Sequence, residues 1–352
     1  MQNTLLRVFM WILGVSAVVG NAAVLLQRLK EKSSTRGAIK QSWFITSLAA
    51  SDCIMGVYML ILASADIYYG DEYYIYSDQW RSGSVCRVAS FLGLLSSEAS
   101  VFFITLISVD RFLSLLFPFS RFQLGKMSSK ISISILWVFS LVLAIIPTLY
   151  AGPESDLYDL SDVCIGLPLI TRPATFQIQS SNIGDQAFGD SFDVPIPKDS
   201  KPAWYFSIAI FLGINLLCFV VIFLCYICIF GYIRATHKQI KRSENQEEEI
   251  KIALKMAAIV GTDFICWFPV IVMGILSQTG LAVIPLEMYT WCVVFILPIN
   301  SSLNPYLYTF ASLISDYRKK AKQAENMSMT GMKSGKGGNT LVSVVTNQSV
   351  TQ

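Results

Sequence analysis

The chain of 352 residues carries 27 basic and 24 acidic side chains, a formal charge of +3, with 53% apolar residues and only 14% charged. Soluble domains average roughly 25% charged residues, and a chain this apolar and this nearly neutral is neither disordered nor a nucleic-acid binder. Its 8 cysteines are too sparse for a disulfide-dense secreted scaffold.

The apolar residues gather in windows long enough to cross a bilayer core, which takes about 20 residues of helix for roughly 30 Å. In chain order the seven windows are Val8–Gln27, Gln41–Ala65, Val88–Val109, Ile131–Pro153, Pro202–Ile233, Met256–Leu286 and Met288–Ser315. Four carry no charge, and the other three carry one acid each: Asp52, Glu98 and Asp263. Core helices of soluble proteins rarely run charge-free for so long, and a membrane β-barrel shows short alternating segments instead. The pattern predicts an all-α membrane protein, a seven-transmembrane helix bundle whose helix ends fall inside these windows. The first window is too long for a signal peptide, and positive charge follows it rather than precedes it. Residues 1–7 then form a short outer N-terminus, and the expectation is that the chain has no outer domain of its own.

Lysine and arginine set the orientation. Arg28, Lys30, Lys32, Arg36 and Lys40 follow the first span, Arg121, Lys126 and Lys130 follow the third, and Arg318-Lys319-Lys320-Ala321-Lys322 follows the seventh. The loop of about residues 151–201 is acidic, with Glu154, Asp156, Asp159, Asp162, Asp185, Asp190, Asp193 and Asp199. The N-terminus is therefore expected outside and the C-terminus in the cytoplasm. The acidic outer loops either attract a basic peptide or reflect topology alone. Within the long loop, Thr171–Lys201 lacks helical periodicity and reads as a flexible insertion. Arg234–Lys255 should extend the fifth and sixth spans and leave a short connection. Phe310–Lys322 can form an amphipathic eighth helix on anionic lipid. The remaining tail, within residues 316–352, reads as disordered. Its Ser328, Thr330, Ser334, Thr340, Ser343, Thr346, Ser349 and Thr351 are either phosphosites for arrestin or unmodified. No cysteine follows Cys292, which leaves no site for a palmitoyl anchor. None of the glycosylation sequons, at Asn300, Asn326 and Asn347, is outside by this topology, so no N-glycan is expected.

Cys86 opens the third span and Arg111 closes it, about 37 Å of helix apart. Cys164 is the only other cysteine in an outer loop, so a Cys86–Cys164 disulfide is expected. The remaining six cysteines lie within spans and read as free apolar fillers.

The third span ends in Asp110-Arg111-Phe112. The sixth holds Cys266-Trp267-Phe268-Pro269, and the seventh holds Asn300-Ser301-Ser302-Leu303-Asn304-Pro305-Tyr306-Leu307-Tyr308. Gly20-Asn21 lies in the first span, Leu48-Ala49-Ala50-Ser51-Asp52 in the second and Trp137 in the fourth. This ordered set resembles the rhodopsin-like G-protein-coupled receptors. Ser97-Glu98-Ala99-Ser100-Val101, Asp263, and Asn215 in a fifth span without its usual proline resemble the leucine-rich-repeat hormone receptors. Ala209–Leu216 and Phe295–Asn300 are most similar to the relaxin receptor type. The likeness covers nearly all of residues 8–318. It departs in the absent leucine-rich outer domain, the longer loop after the fourth span and the Asp-Arg-Phe form of the third-span motif.

The resemblance implies roles. Asp110 would hold Arg111 at rest with Glu249 as a second acidic partner, and Tyr226 and Tyr308 would close around Arg111 once the sixth span moves outward. The plain alternative is an interfacial ion pair that only snorkels. Trp267, Pro269 and Pro305 would be switch elements, or ordinary membrane-helix prolines and packing. Asp263 would hold Asn304 in the resting state. Asp52, with Ser100, Asn300, Ser301, Asn304 and Asn21, would form a polar cavity for Na⁺, since oxygen-only ligands suit a hard cation; alternatively Asp52 is neutral and bonded to Asn21 and Asn304. Glu98 either bonds to Asn215 or packs as a neutral acid. No other cofactor is expected.

Function follows the same resemblance. A receptor would pass an extracellular signal, from a relaxin-like peptide or protein hormone, to a heterotrimeric G protein at the plasma membrane, through adenylate cyclase. The alternative is a receptor for a small molecule or short peptide bound in the bundle. An opsin lacks support because the seventh span has no lysine. A transporter would show internal repeats, a channel would show a filter-like loop, and an enzyme would need more than the single His237 for a His-based site.

Overall fold

The structure is a computed structural model and describes residues 4–30, 36–121, 123–150, 163–165, 176–178, 192–194, 204–236, 244–278, 281–282, 288, 291–296 and 298–307. Helix α1 is Thr4–Lys30 and α2 is Arg36–Tyr69. A 3₁₀ turn, Gly70–Glu72, leads to α3, Tyr73–Ser82, and the chain then enters α4, Ser84–Leu116, and α5, Lys126–Tyr150. The fifth span is built from α6, Trp204–Ile208, a π-helical segment, Ala209–Asn215, and α7, Leu216–Thr236. The sixth is α8, Glu244–Gln278. The seventh shows a π-helical segment, Cys292–Ile296, and a helical stretch over 298–307.

Among the described residues six helices are long and apolar enough to cross a membrane. The expected seventh window is described only in part, and the expected eighth helix and tail lie outside the described residues. Some helix ends fall inside the apolar windows, at Tyr150, Trp204 and Gln278, while others run past them: α4 begins four residues before Val88, and α8 begins at Glu244, ahead of Met256. The excess turns are polar, and a helix satisfies its own backbone as it leaves the hydrocarbon. The ends of α7 at Thr236 and α8 at Glu244 agree with the expected short connection.

Two features of the outer loops differ from the sequence reading. The connection between the second and third spans folds into α3, where Tyr69, Tyr73, Tyr76 and Trp80 form an aromatic cluster with ring centroids 6.0–6.1 Å from Tyr69. Within the expected flexible insertion, Phe176–Ile178 pairs antiparallel with Phe192–Val194. Alternation over only three residues is too short to register as a strand signal.

The chain divides into two compact units, 1–305 and 306–352, and of the second only Tyr306 and Leu307 are described. In the first unit α4 is the most buried of the six fully described spans and packs against α2, α5, α7 and α8. Small residues let the helices close up, as expected where lipid removes the hydrophobic drive between them. A Cβ on Gly56 would lie 2.8 Å from the Val18 backbone nitrogen, and one on Gly20 would lie 2.9 Å from Pro305 Cγ. Ile135, Val138, Phe223 and Leu224 are exposed on α5 and α7, as a lipid-facing surface requires.

Candidate functional site

Cys86 lies in the first turn of α4 and is joined to Cys164, with Cα atoms 5.3 Å apart. The expected disulfide is therefore present, and the other six cysteines are free. The loop has a second tie that the sequence reading missed. Tyr58, fully buried in α2, donates its hydroxyl to the Val163 carbonyl at 2.7 Å. Gly93 of α4 makes room for the Tyr58 ring, because a Cβ there would lie 3.2 Å from it. Cys164 itself sits at φ 51°, a left-handed conformation unusual for a residue with a side chain. At the same end Arg7 of α1 pairs with Asp66 of α2, a link between distant charges that no local pattern announces.

In mid-bundle, Glu98 of α4 accepts a hydrogen bond from Asn215 Nδ2 at 3.1 Å, and both residues are fully buried. Of the two readings of Glu98, the structure has the bonded one. Asn215 closes the π-helical segment of the fifth span. A π-helical turn widens the backbone hydrogen-bond ladder and re-aims the side chains that follow it. Trp267 is buried, with its ring centroid 6.1 Å from that of Phe219, and Pro269 lies inside α8 two residues later. A proline there removes one backbone donor from the helix.

Asp52 of α2 is fully buried and accepts three bonds. Ser301 Oγ reaches its Oδ1 at 2.9 Å, Ser100 Oγ reaches the same oxygen at 3.4 Å, and Asn304 Nδ2 reaches its Oδ2 at 2.7 Å. Three of the residues expected around Asp52 thus meet it, from α4 and the seventh span. Asn21 does not: its amide donates to the Ala17 and Ser301 carbonyls, both at 2.9 Å. Asn300 is also drawn elsewhere. Its Nδ2 donates to Asp263 Oδ1, so the partner of Asp263 is Asn300 and not the expected Asn304. The two asparagines are one helical turn apart and share a face. The neighbouring acids divide them, and the motif alone does not say which acid takes which.

At the far end of α4 from the disulfide, Arg111 donates to Asp110 Oδ2, with both side chains buried. The expected motif pair is formed. Tyr226 is buried beside Ser108 and Arg111. The side chains of Glu249 and Tyr308 lie outside the described residues. Lys40 of α2 donates to Asp110 Oδ1 at 2.9 Å, a buried partner that the sequence reading had counted as a loop charge. In the connection that follows α4, Phe119 is fully exposed.

Residues 20–308 match the family described as 7 transmembrane receptor (rhodopsin family). The chain belongs to the rhodopsin family of seven-transmembrane receptors. It is a receptor, not an enzyme, and a multi-pass protein of the plasma membrane. The receptor is 35% identical over 325 residues to G-protein coupled receptor GRL101 of Lymnaea stagnalis, covering 92% of this chain and 26% of that protein. It is 32% identical over 326 residues to Relaxin receptor 2 of Homo sapiens, covering 92% and 39%. It is 28% identical over 333 residues to human Relaxin receptor 1, covering 93% and 40%. The receptor thus spans between about a quarter and two fifths of the length of these curated relatives. The relaxin-type resemblance read from Ala209–Leu216 and Phe295–Asn300 agrees with these matches.

The oxygens around Asp52 fit a hard cation. Asp52, Ser100 and Ser301 bring oxygen atoms together, and the Oδ1 atom of Asn304, whose Nδ2 bonds Asp52, is buried without a hydrogen-bond partner among the described residues.

Proposed function

We propose that the receptor passes an extracellular hormone signal, from a relaxin-like peptide or protein, to a heterotrimeric G protein and through it to adenylate cyclase. The observation that carries this reading is the buried Asp110–Arg111 pair at the end of α4 opposite the disulfide. An arginine is charged at any accessible pH. One kept buried on its neighbour's carboxylate is a cation held back from a partner and released when the helices repack. The relatives named as relaxin receptors support the hormone class. Phe119, fully exposed in the same region, offers an apolar contact to a cytoplasmic partner. Arrestin at the tail and anionic lipid under the eighth helix remain part of the proposal.

Signal transfer is a population shift between two helix packings. Asp263 on Asn300 ties the sixth span to the seventh at rest, and Trp267 with Pro269 gives the sixth span its lever. Asp52, Ser100, Ser301 and Asn304 would hold Na⁺, which supplies counter-charge to a buried carboxylate. The test is a cyclic AMP assay in cells expressing the receptor at matched surface levels. Arg111→Ala should abolish both basal and stimulated signalling, and a full response would remove Arg111 from the coupling role.

A second reading, a small molecule or short peptide bound within the bundle, is favoured by one observation. Glu98 Oε2, Asn215 Oδ1 and Ser207 Oγ are buried without partners among the described residues. Such groups suit a ligand carrying hydrogen-bond donors.

A further inference from the structure

Lys40 occupies the second turn of α2, with 8% of its side chain exposed. Its ammonium takes one oxygen of Asp110, and the Arg111 guanidinium takes the other. Two cations from two helices therefore share one carboxylate that is itself 1% exposed.

The arrangement matters at the moment Arg111 leaves. A buried carboxylate that loses its only cationic partner is strongly disfavoured, because the remaining charge is neither solvated nor paired. That cost would oppose any repacking that draws Arg111 away. Lys40 removes it, since its bond to Oδ1 does not depend on Arg111. Like-charge repulsion between the two cations also weakens the hold of Asp110 on Arg111 at rest. Both effects act in the same direction.

We propose that Lys40 is a positioning residue for coupling: it is the counter-ion that stays on Asp110, so that Arg111 is released without stranding a buried anion. The inference rests on the coupling reading above. It assigns Lys40 the opposite sign from a resting clamp, which would make its loss activating.

The experiment is a double-mutant cycle on ligand-independent nucleotide exchange. Purified receptor in nanodiscs is mixed with a stimulatory G-protein heterotrimer, in an Asp263→Ala background that raises the basal rate. Lys40→Met should lower exchange at least about fivefold, the low end of typical coupling effects. Lys40→Arg should keep it within about twofold, the scatter of independent changes. With Asp110→Asn also present no anion is left to strand, and Lys40→Met should then change exchange by less than about twofold. Thermal unfolding of each preparation checks that it is folded, and Lys40→Gln replaces Lys40→Met if the latter misfolds. A rise in exchange with Lys40→Met would make Lys40 a clamp and overturn the inference. An equal loss with and without Asp110→Asn would place its action elsewhere, and no loss would make the pair idle; either result overturns it as well. Failure of the coupling reading looks different. Asp263→Ala and Asp110→Asn would then be silent with every class of G protein, and the inference would fall with that reading.

Discussion

Replacing Asp263 by alanine should switch the receptor partly on without ligand. Asp263 is fully buried in α8 and accepts from Asn300 Nδ2, itself 3% exposed. A hydrogen bond of this kind to an acid contributes about 1.5–3 kcal/mol. If it exists only in the resting packing, its loss shifts the equilibrium by roughly 10- to 150-fold. From a resting active fraction of about 1%, that raises the active share to roughly 10–60%. Basal cyclic AMP at equal surface expression measures the change. Asn300→Ala removes the same bond from the other side and should act with the same sign. The double variant should exceed neither single one by much, because only one contact is lost. Asn304→Ala is the discriminating control. Asn304 belongs to Asp52, at 2.7 Å, so its effect should add to that of Asp263→Ala. Unchanged or reduced basal activity in Asp263→Ala would refute the resting-tie argument. Non-additivity with Asn304 in place of Asn300 would refute the pairing.

Two further outcomes follow from the packing. Asp52→Asn keeps the size of the side chain but removes the charge. If the oxygens around Asp52 hold Na⁺, NaCl should raise the thermal unfolding temperature of the purified receptor above its value in choline chloride, and Asp52→Asn should abolish that difference; a salt effect that survives the substitution would remove the ion site. Gly20→Ala places a Cβ 2.9 Å from Pro305 Cγ and should destabilise by about 1–3 kcal/mol, read as a lower Tm, whereas Gly231→Ala, with nothing within 4 Å, should be neutral or slightly stabilising. Equal effects of the two glycine substitutions would mean that the close approach of the first and seventh spans is not a packing constraint.

What the sequence made legible was whatever depends on the bilayer or on position along one helix. Charge-free runs locate the helices because lipid leaves the backbone few alternatives. Cys86 and Arg111 could be assigned to opposite ends because helix rise converts residue number into height. Neighbours within one motif, such as Asp110 and Arg111, were also readable. Pairing across spans was not. Lys40 with Asp110 and Arg7 with Asp66 join residues 70 and 59 positions apart, and both looked like ordinary loop or terminal charges. The partition of Asn300 and Asn304 between two acids turns on less than one helical turn of register. The π-helical segment that Asn215 closes is invisible in an unbroken apolar run, and α3 went unread in a short polar connection although Tyr69, Tyr73, Tyr76 and Trp80 keep a helical spacing.

The three acids inside the spans are satisfied to different degrees, and the difference falls along the lines of motion. Each meets an asparagine from another span: Asn304 on Asp52, Asn215 on Glu98 and Asn300 on Asp263. Asp52 has both oxygens engaged, by three donors from α4 and the seventh span. Glu98 Oε2 and Asp263 Oδ2 are buried without partners among the described residues. A buried carboxylate with both oxygens bonded resists rearrangement, because any displacement strands a polar group. A half-satisfied one loses less on moving, and another packing can offer the idle oxygen a donor. By that reasoning the second, third and seventh spans form the fixed frame around Asp52. The fifth span, through Asn215, and the sixth, through Asp263, are the parts whose buried acid–asparagine ties are single bonds among the described residues. Those are the spans that carry Tyr226 and Trp267, so one of the two tyrosines expected to close around Arg111 and the sixth-span switch sit on the elements that cost least to move.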